Sequence, residues 1–248
     1  MRRPLTAGIA GVVLLAAILG FVARAARSDA PERRVYLVGD SLVLQASEYW
    51  LPMMEADGWT AREDSFAGTN TCDWFTAMEE RRTKFAPSVV AISFGGNDAT
   101  ECMRHRDGSK LSELEFFEKY RDDTRHALEI WGDDVSIYLV APPAFYDGDN
   151  RFAPTYMAFA KQRRNVHFVD GGHLITPRHQ WRKTAPCLPE ERCTGPVVAG
   201  VRHNVIRAAD TVHFCPVDNS LDDPCPTYSS GAYRYARNIA DAIRRGEQ

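Results

Sequence analysis

From about residue 34 the chain alternates between short apolar runs and longer segments with helical spacing of apolar residues. The short runs are rich in branched and aromatic residues, which is typical of buried strands. The predicted strands are Val35–Val38, Thr60–Phe66, Ser88–Phe94, Val135–Val140 and Val166–Val169. The predicted helices are Leu42–Ala56, Trp74–Phe85, Ser112–Trp131, Pro154–Gln162 and Tyr228–Arg244. Since parallel strands need crossovers of helical length, the pattern predicts an α/β fold with one parallel sheet covered on both faces.

Regular alternation stops between His173 and about Ala209. This stretch contains prolines, two cysteines and mixed charge, and its hydrophobic pattern fits neither a strand nor a helix. We therefore expect a long irregular excursion here, inserted before the last helix. The body of the chain contains no internal repeat and no low-complexity tract, and no part of it differs in amino-acid composition as a second folded domain would. Residues 34–246 are therefore predicted to form one domain.

The N-terminal residues 1–30 differ from the rest of the chain. Arg2 and Arg3 precede an uncharged segment from Leu5 to Ala23, and Arg24 follows it. The length of this segment is intermediate between a long signal peptide and a short transmembrane anchor. Both interpretations stay open, with a slight preference for an uncleaved anchor. In either case the leading arginines predict that the body lies outside the cytoplasm, secreted or tethered to the membrane.

The body of the chain is acidic. Residues 1–27 hold four of the 30 basic residues and none of the 33 acidic ones, so the remainder carries a net charge of −7. This charge argues against nucleic acid or an anionic lipid surface as the main partner.

The chain has six cysteines, an even number that agrees with an oxidising compartment. No spacing forms a zinc-ligand pattern, so neither a metal nor another cofactor is expected. Two of the predicted disulfides close short proline-containing loops, and the third joins two loops that follow neighbouring strands. The predicted pairs are Cys72–Cys102, Cys187–Cys193 and Cys215–Cys225. Free buried cysteines are the alternative.

Candidate chemistry lies where predicted strands end. Ser41 follows the first strand in the sequence Gly39-Asp40-Ser41, and Gly68 and Asn97 come just after the next two strands. In parallel sheets, ligands bind beyond these carboxyl ends. A serine nucleophile needs a base, an orienting acid and donors for an oxyanion. The backbone N–H groups of Ser41 and Gly68 and the amide of Asn97 could supply those donors. Alone, however, Gly-Asp-Ser is more often a turn with an N-cap serine.

A base and an acid are available at a separation of three residues. Asp210 and His213 precede the last helix, where a tight turn lets the carboxylate reach the imidazole Nδ1 while Nε2 faces outward. Asp170 and His173 have the same spacing and are a competing pair. We favour His213 because it lies much closer in sequence to the last helix, whereas Asp170 is expected to end a strand and bind local backbone.

Four blocks in this order resemble the SGNH (GDSL-type) hydrolase superfamily. They are Gly39-Asp40-Ser41, Gly68, Gly95-Gly96-Asn97-Asp98 and Asp210-Thr211-Val212-His213. The resemblance implies a three-layer α/β/α sandwich of flavodoxin type with a five-stranded parallel sheet, and serine esterase or acyl-transfer chemistry without a metal. It assigns Ser41 as nucleophile, His213 as base, Asp210 as its orienting acid, and Ser41, Gly68 and Asn97 as the oxyanion hole.

The cysteines and the excursion depart from the usual form of that superfamily. Similar excursions with a cysteine pair occur in exported SGNH domains that work with membrane acyltransferases on bacterial surface glycans. The resemblance therefore implies removal of O-acyl groups, above all O-acetyl groups, from a carbohydrate or envelope glycan. Alternatives are O-acyl transfer by the same residues, a lipase or lysophospholipase, and a non-catalytic glycan-binding module. A membrane acyltransferase is an expected partner.

Overall fold

The computed structural model describes residues 32–146, 148, 150–217 and 223–247, so the predicted signal peptide or anchor at residues 1–30 lies outside the described residues. Across these described ranges, no helix combines the length and the apolar character needed to cross a membrane.

Five parallel strands form the central sheet, in the spatial order β2-β1-β3-β4-β5. The strands are β1 (Arg34–Gly39), β2 (Thr60–Ser65), β3 (Val89–Ser93), β4 (Ser136–Ala141) and β5 (Val166–Asp170). All four neighbouring pairs run parallel. This arrangement confirms the predicted five-stranded parallel sheet, and each predicted strand differs from the observed one by no more than a residue or so at either end.

Helices cover both faces of the sheet. They are α1 (Ser41–Ala56), α2 (Phe75–Lys84), α3 (Glu113–Trp131), α4 (Ala153–Gln162) and α5 (Ser230–Gly246). One face packs against α1 and α5, and the other against α2, α3 and α4. The predicted three-layer α/β/α sandwich is therefore confirmed.

The alternation of side chains along β1 illustrates why the sheet is buried on both sides. Val35 and Leu37 point into the core shared with α1 and α5, while Tyr36 and Val38 point into the core shared with α2, α3 and α4. All four side chains are fully buried. Successive strand residues face opposite sides, so a strand that is apolar at every position must be covered by helices on both faces.

The excursion is more regular than its sequence predicts. It contains a small antiparallel sheet in the order β6-β8-β7, with β6 at Thr184–Pro186, β7 at Val197–Val198 and β8 at Val201–Val205. The expectation of an irregular segment was therefore wrong over these residues. The strands are too short to give an alternating pattern, and β6 is separated from its partner β8 by a disulfide-closed loop, so no local signal marks their pairing.

A buried ion pair attaches the excursion to α5. Arg234 donates to both carboxylate oxygens of Glu191, at 2.9 Å from Nε and 2.6 Å from Nη2. Asn204 Nδ2 and Ser230 Oγ donate to the same carboxylate at 2.9 and 3.1 Å. Burying an ion pair costs desolvation energy, which these additional hydrogen bonds offset. The excursion is thus anchored to the main domain by a hydrogen-bonded buried charge.

The carboxyl ends of the three neighbouring strands β2, β1 and β3 are level. Gly39 at the end of β1 lies opposite Ser65 of β2 and Ser93 of β3. A side chain at Gly39 would clash with the Ser93 carbonyl oxygen and with Val43. Glycine at this position therefore allows β1 to lie close to its neighbours. Because the three strands end at the same level, the segments that follow them begin at one edge of the sheet.

Candidate active site

Ser41, His213 and Asp210 form a hydrogen-bonded chain at this edge of the sheet. His213 Nε2 lies 2.9 Å from Ser41 Oγ, and His213 Nδ1 lies 2.6 Å from Asp210 Oδ2. The imidazole is 14% exposed and the Asp210 side chain 46% exposed, so the acid faces partly to solvent. Hydroxyl, imidazole and carboxylate are thus linked in the order that a serine nucleophile, its base and its orienting acid require.

Ser41 is the first residue of α1, and Asp40 rather than Ser41 caps the helix. Asp40 Oδ1 accepts from Leu42 N at 3.0 Å, and its Oδ2 accepts from Gly95 N at 2.5 Å. Burial raises the pKa of Asp40, while these backbone hydrogen bonds oppose the rise. Asp40 has a structural role here, because it holds the start of α1 against the loop that follows β3. The N-terminus of α1 favours negative charge that develops beside Ser41.

Asp210 also orders the turn that carries His213. Its Oδ1 accepts from the backbone N–H groups of Val212 and His213, both at 2.9 Å. Thr211 has a φ of 70°, in the left-handed region that the turn requires. Partial burial raises the pKa of Asp210, but the hydrogen bonds from His213 and Val212 outweigh it and hold the pKa below its usual value. The carboxylate therefore stays ionised and orients both backbone and imidazole.

Arg207 supports this turn from inside the protein, a role that sequence reasoning missed. Its Nη1 donates to Val212 O, and its Nη2 donates to Ala144 O at 3.1 Å. The guanidinium lies 5.3 Å from the ring centre of Phe214. The side chain is 1% exposed, and burial lowers the pKa of Arg207 to about 10. Among the residues that the structure describes, no carboxylate forms an ion pair with it.

Two further side chains bind the same turn. Gln45, one helical turn after Ser41, accepts from Phe214 N at 2.8 Å. Trp181 of the excursion donates from Nε1 to Thr211 O at 2.9 Å. Both contacts join segments that are distant along the chain, and no sequence motif marks either residue.

The predicted oxyanion donors Gly68 and Asn97 lie in two loops that hold each other. Asn97 Nδ2 donates to Thr69 O at 2.9 Å and is 3.4 Å from Asp40 Oδ2. In return, Asn70 Nδ2 donates to Asn97 O at 2.8 Å. Gly68 has a φ of 77°, and the space beside its Cα is open. The two loops are therefore fixed relative to Ser41 through Asp40, and the role of their N–H groups as oxyanion donors stays a prediction.

The structure contains the three predicted disulfide bonds, Cys72–Cys102, Cys187–Cys193 and Cys215–Cys225. The first joins the short 3₁₀ helix after Asn70 to the segment after Asn97, so a covalent link braces the two loops just described. Asp73 adds to it by accepting from Thr100 Oγ1 at 2.9 Å. The Cys215–Cys225 bond begins two residues after His213.

The competing pair does not form a comparable arrangement. Asp170 accepts from Gly172 N at 2.9 Å, and the backbone N–H of His173 donates to the Asp170 carbonyl at 3.1 Å. Within residues 32–217, apart from the undescribed positions 147 and 149, no side-chain hydrogen bond joins Asp170 to His173 or His173 to a serine. Asp170 ends β5 and binds local backbone, as its position in the sequence predicts.

A cavity of about 700 Å³ is lined by Asn97, a proposed oxyanion donor, and by Val212, the residue before His213. We call it the active-site cavity. Its apolar lining consists of Met103, Leu111, Phe116, Phe117, Phe145 and Phe152. Two ion pairs contribute polar groups to the same lining, Lys110–Asp98 at 3.1 Å and Arg151–Glu113 at 2.8 Å. A ligand in this cavity would contact Asn97 and the segment that leads into His213.

Comparison with solved structures identifies the class of fold. The C-terminal catalytic domain of peptidoglycan O-acetyltransferase A from Streptococcus pneumoniae is 20% identical, with a TM-score of 0.53 over 87% of this chain and 95% of that one. A lipase/acylhydrolase from Enterococcus faecalis is 16% identical, with a TM-score of 0.53 over 86% and 96%. An acetylxylan esterase from Geobacillus stearothermophilus is 14% identical, with a TM-score of 0.51 over 85% and 94%.

The fold is thus that of the SGNH hydrolases, and the contacts among Ser41, His213 and Asp210 have the geometry of a serine hydrolase triad. More narrowly, the chain belongs to the family described as protein of unknown function (DUF459), whose model matches residues 34–217. No curated protein sequence matches the chain significantly.

Proposed function

We propose that this protein is an exported serine esterase that removes O-acyl groups, above all O-acetyl groups, from a carbohydrate or cell-envelope glycan. The observation that carries the proposal is the chain of short contacts from Ser41 Oγ through His213 to Asp210, at 2.9 and 2.6 Å. Asp210 holds the Nδ1–H tautomer, so that Nε2 is free to accept the serine proton.

In the first half of the reaction, Ser41 Oγ attacks the ester carbonyl carbon while His213 Nε2 takes the hydroxyl proton. The negative charge on the carbonyl oxygen is stabilised by N–H donors, for which Ser41, Gly68 and Asn97 are the candidates. When the tetrahedral intermediate collapses, the C–O bond to the alcohol breaks, and His213 returns the proton to the leaving oxygen. Ser41 is left as an acyl ester.

In the second half, His213 removes a proton from water, the hydroxide attacks the acyl carbon, and Ser41 Oγ leaves and recovers its proton. If a sugar hydroxyl takes the place of water, the same groups perform acyl transfer. The structural likeness to a peptidoglycan O-acetyltransferase domain favours this as the second candidate function. The two activities differ only in which hydroxyl reaches the acyl-enzyme.

The choice of a glycan ester rests on two solved structures with the same fold, an acetylxylan esterase and a peptidoglycan O-acetyltransferase domain. Similarity to a lipase/acylhydrolase keeps a lipid ester as a competing substrate. A non-catalytic glycan-binding module is the alternative from another class, and the intact Ser41–His213 contact argues against it.

Export is part of the proposal and is supported by three disulfide bonds, since such bonds persist in oxidising compartments. We propose that residues 1–30 direct the export, either as a signal peptide or as a membrane anchor. A membrane acyltransferase is a proposed partner that could supply or receive the acyl group.

Hydrolysis of p-nitrophenyl acetate by the purified body tests the proposal. Wild-type protein is expected to release nitrophenol, and Ser41→Ala and His213→Ala are expected to lose at least roughly a thousandfold in kcat. His173→Ala is the matched control, because its histidine has the same spacing to an acid but no contact with Ser41. Equal rates for wild type and Ser41→Ala would refute the esterase, and loss only in His173→Ala would transfer the role of base to that residue.

A further inference from the structure

We propose that Tyr146 and Trp181 form a binding site for a sugar ring beside the active-site cavity. This inference rests on the proposed function and deepens it, because it names the residues that would hold the carbohydrate part of the substrate. The two side chains, called the aromatic pair below, belong to the loop after β4 and to the excursion.

The two rings of the aromatic pair pack against each other, with Tyr146 exposed and Trp181 partly buried. The ring centres lie 5.0 Å apart with an interplanar angle of 67°. Tyr146 is 69% exposed, whereas most large aromatic side chains of the domain are buried in the two cores. A single exposed aromatic residue is ordinary on a protein surface. Here the exposed tyrosine meets a partly buried tryptophan at an angle, so the two rings together form an aromatic corner.

Trp181 connects the aromatic pair to the catalytic turn. Its indole Nε1–H donates to Thr211 O at 2.9 Å, two residues before His213. This hydrogen bond restricts the orientation of the indole, so the aromatic surface is preorganised for a ligand. A preorganised surface loses less conformational freedom on binding than a mobile one.

Tyr146 connects the pair to the active-site cavity. The preceding residue, Phe145, lines the cavity together with Asn97 and Val212. Tyr146 therefore follows directly on the cavity wall, and Trp181 binds the turn whose Val212 forms another part of that wall. A ligand that occupies the cavity and extends past Phe145 or Val212 would meet the aromatic pair.

The mixed lining of the cavity fits a carbohydrate better than a fatty acyl chain. A sugar ring presents an apolar C–H face to aromatic rings and hydroxyl groups to charged side chains. The cavity offers both, since its lining includes four phenylalanine rings and the Lys110–Asp98 and Arg151–Glu113 pairs. A long alkyl chain would gain nothing from four charged groups and would partly desolvate them, which costs free energy.

Kinetics with two kinds of acetyl ester, one without a sugar and one on a glycan, separate the sugar-binding site from the chemistry. The probes are p-nitrophenyl acetate, which has no sugar, and acetylated xylo-oligosaccharides alongside O-acetylated peptidoglycan fragments. We expect Tyr146→Ala to raise KM for at least one glycan by roughly three- to tenfold with kcat unchanged, and to leave p-nitrophenyl acetate unaffected. Tyr146→Phe should retain the wild-type KM, because the ring face remains.

Met157→Ala is the matched control, since Met157 is a large exposed apolar residue of α4 that does not line the active-site cavity. It should leave KM and kcat unchanged for p-nitrophenyl acetate and for both glycans. An unaltered KM for both glycans in Tyr146→Ala, or an equal loss with p-nitrophenyl acetate, would overturn the sugar site while leaving the esterase proposal intact.

If wild type and Ser41→Ala are equally inactive on every ester, the proposed esterase fails, and calorimetric titration with the same glycans tests the aromatic pair by itself. Weaker binding by Tyr146→Ala than by wild type supports the sugar site. Equal binding by the two proteins, or no binding of either glycan by wild type, overturns it.

Discussion

Gln45 Oε1 accepts a hydrogen bond at 2.8 Å from the backbone N–H of Phe214. One partner lies a helical turn after the proposed nucleophile, and the other directly follows the proposed base. The contact therefore joins the two segments whose relative position sets the 2.9 Å distance between Ser41 Oγ and His213 Nε2. Both groups are buried, so neither can exchange the bond for one to bulk water.

Replacing Gln45 with leucine should weaken both stability and catalysis. The Phe214 N–H would be left buried without an acceptor, which costs about 1 to 3 kcal/mol of unfolding free energy. We expect kcat on p-nitrophenyl acetate to fall by roughly tenfold or more with little change in KM, because the base would no longer be fixed relative to Ser41. Thermal unfolding and steady-state kinetics measure the two effects.

Ser47→Ala is the control for Gln45→Leu. Ser47 is also a buried polar residue of α1, but it donates to Leu44 O within its own helix. It should lower the melting temperature slightly and leave kcat unchanged. If Gln45→Leu unfolds at a lower temperature but retains wild-type kcat, the contact stabilises the fold without positioning His213.

Arg207→Met should also reduce kcat, through loss of support under the turn that carries His213. The change removes the donors to Val212 O and Ala144 O from a site that is 1% exposed. Each unsatisfied carbonyl costs about 1 to 3 kcal/mol. Arg207→Lys keeps one donor and should recover part of the activity. Circular dichroism melts and kcat at 20 degrees below the melting temperature are the measurements.

Arg234→Met separates positioning from general stability. Arg234 is likewise a buried arginine, and its loss leaves Glu191 as an unpaired buried charge, at a cost of about 3 to 5 kcal/mol. It should lower the melting temperature at least as much as Arg207→Met, yet reduce kcat less in the protein that remains folded. Equal losses of kcat in the two variants at matched stability would show that Arg207 has no special role.

Asp210 should make the stability of the wild-type protein depend on pH in the acidic range. Its pKa is lower in the folded state than the ordinary value of 3.8, so its carboxylate contributes stability above that ordinary pKa. The contribution is lost as pH falls through the lower folded-state pKa. Because the side chain is 46% exposed, we expect a modest effect.

Denaturant unfolding of wild type and Asp210→Asn at several pH values checks this. The difference in unfolding free energy should be constant at neutral pH and shrink below about pH 4, the region of an unperturbed aspartate. A difference in unfolding free energy that grows on acidification would contradict a lowered pKa of Asp210 in the folded state.

In the same variant, kcat should fall by about a hundred- to ten-thousandfold, since asparagine cannot stabilise the protonated imidazole.

The parts of the fold that local patterns specify could be predicted from sequence. The apolar run Val35–Val38 and the helical spacing after Ser41 each determine their own element, and the Asp210–His213 spacing of three is closed by one turn. Gln45, Arg207 and Trp181 could not be found in this way. Gln45 and Phe214 are 169 residues apart, so only the packed domain brings them together. The strands of the excursion escaped detection because they are too short to give an alternating pattern.

Removing the Cys72–Cys102 disulfide by substituting both residues with alanine should impair catalysis as well as stability. The bond closes a segment of 30 residues and braces the loops that hold Gly68 and Asn97, so its loss should cost about 4 kcal/mol and lower kcat on p-nitrophenyl acetate.

Cys187→Ala with Cys193→Ala is the matched control. That disulfide closes only six residues in the excursion, so its loss should cost about 2 kcal/mol and leave kcat unchanged. Because reduction of the wild type breaks all three bonds, only these paired variants assign an effect to one of them. A wild-type kcat in the folded Cys72/Cys102 variant would mean that hydrogen bonds such as Asn97 Nδ2 to Thr69 O suffice to fix the two loops.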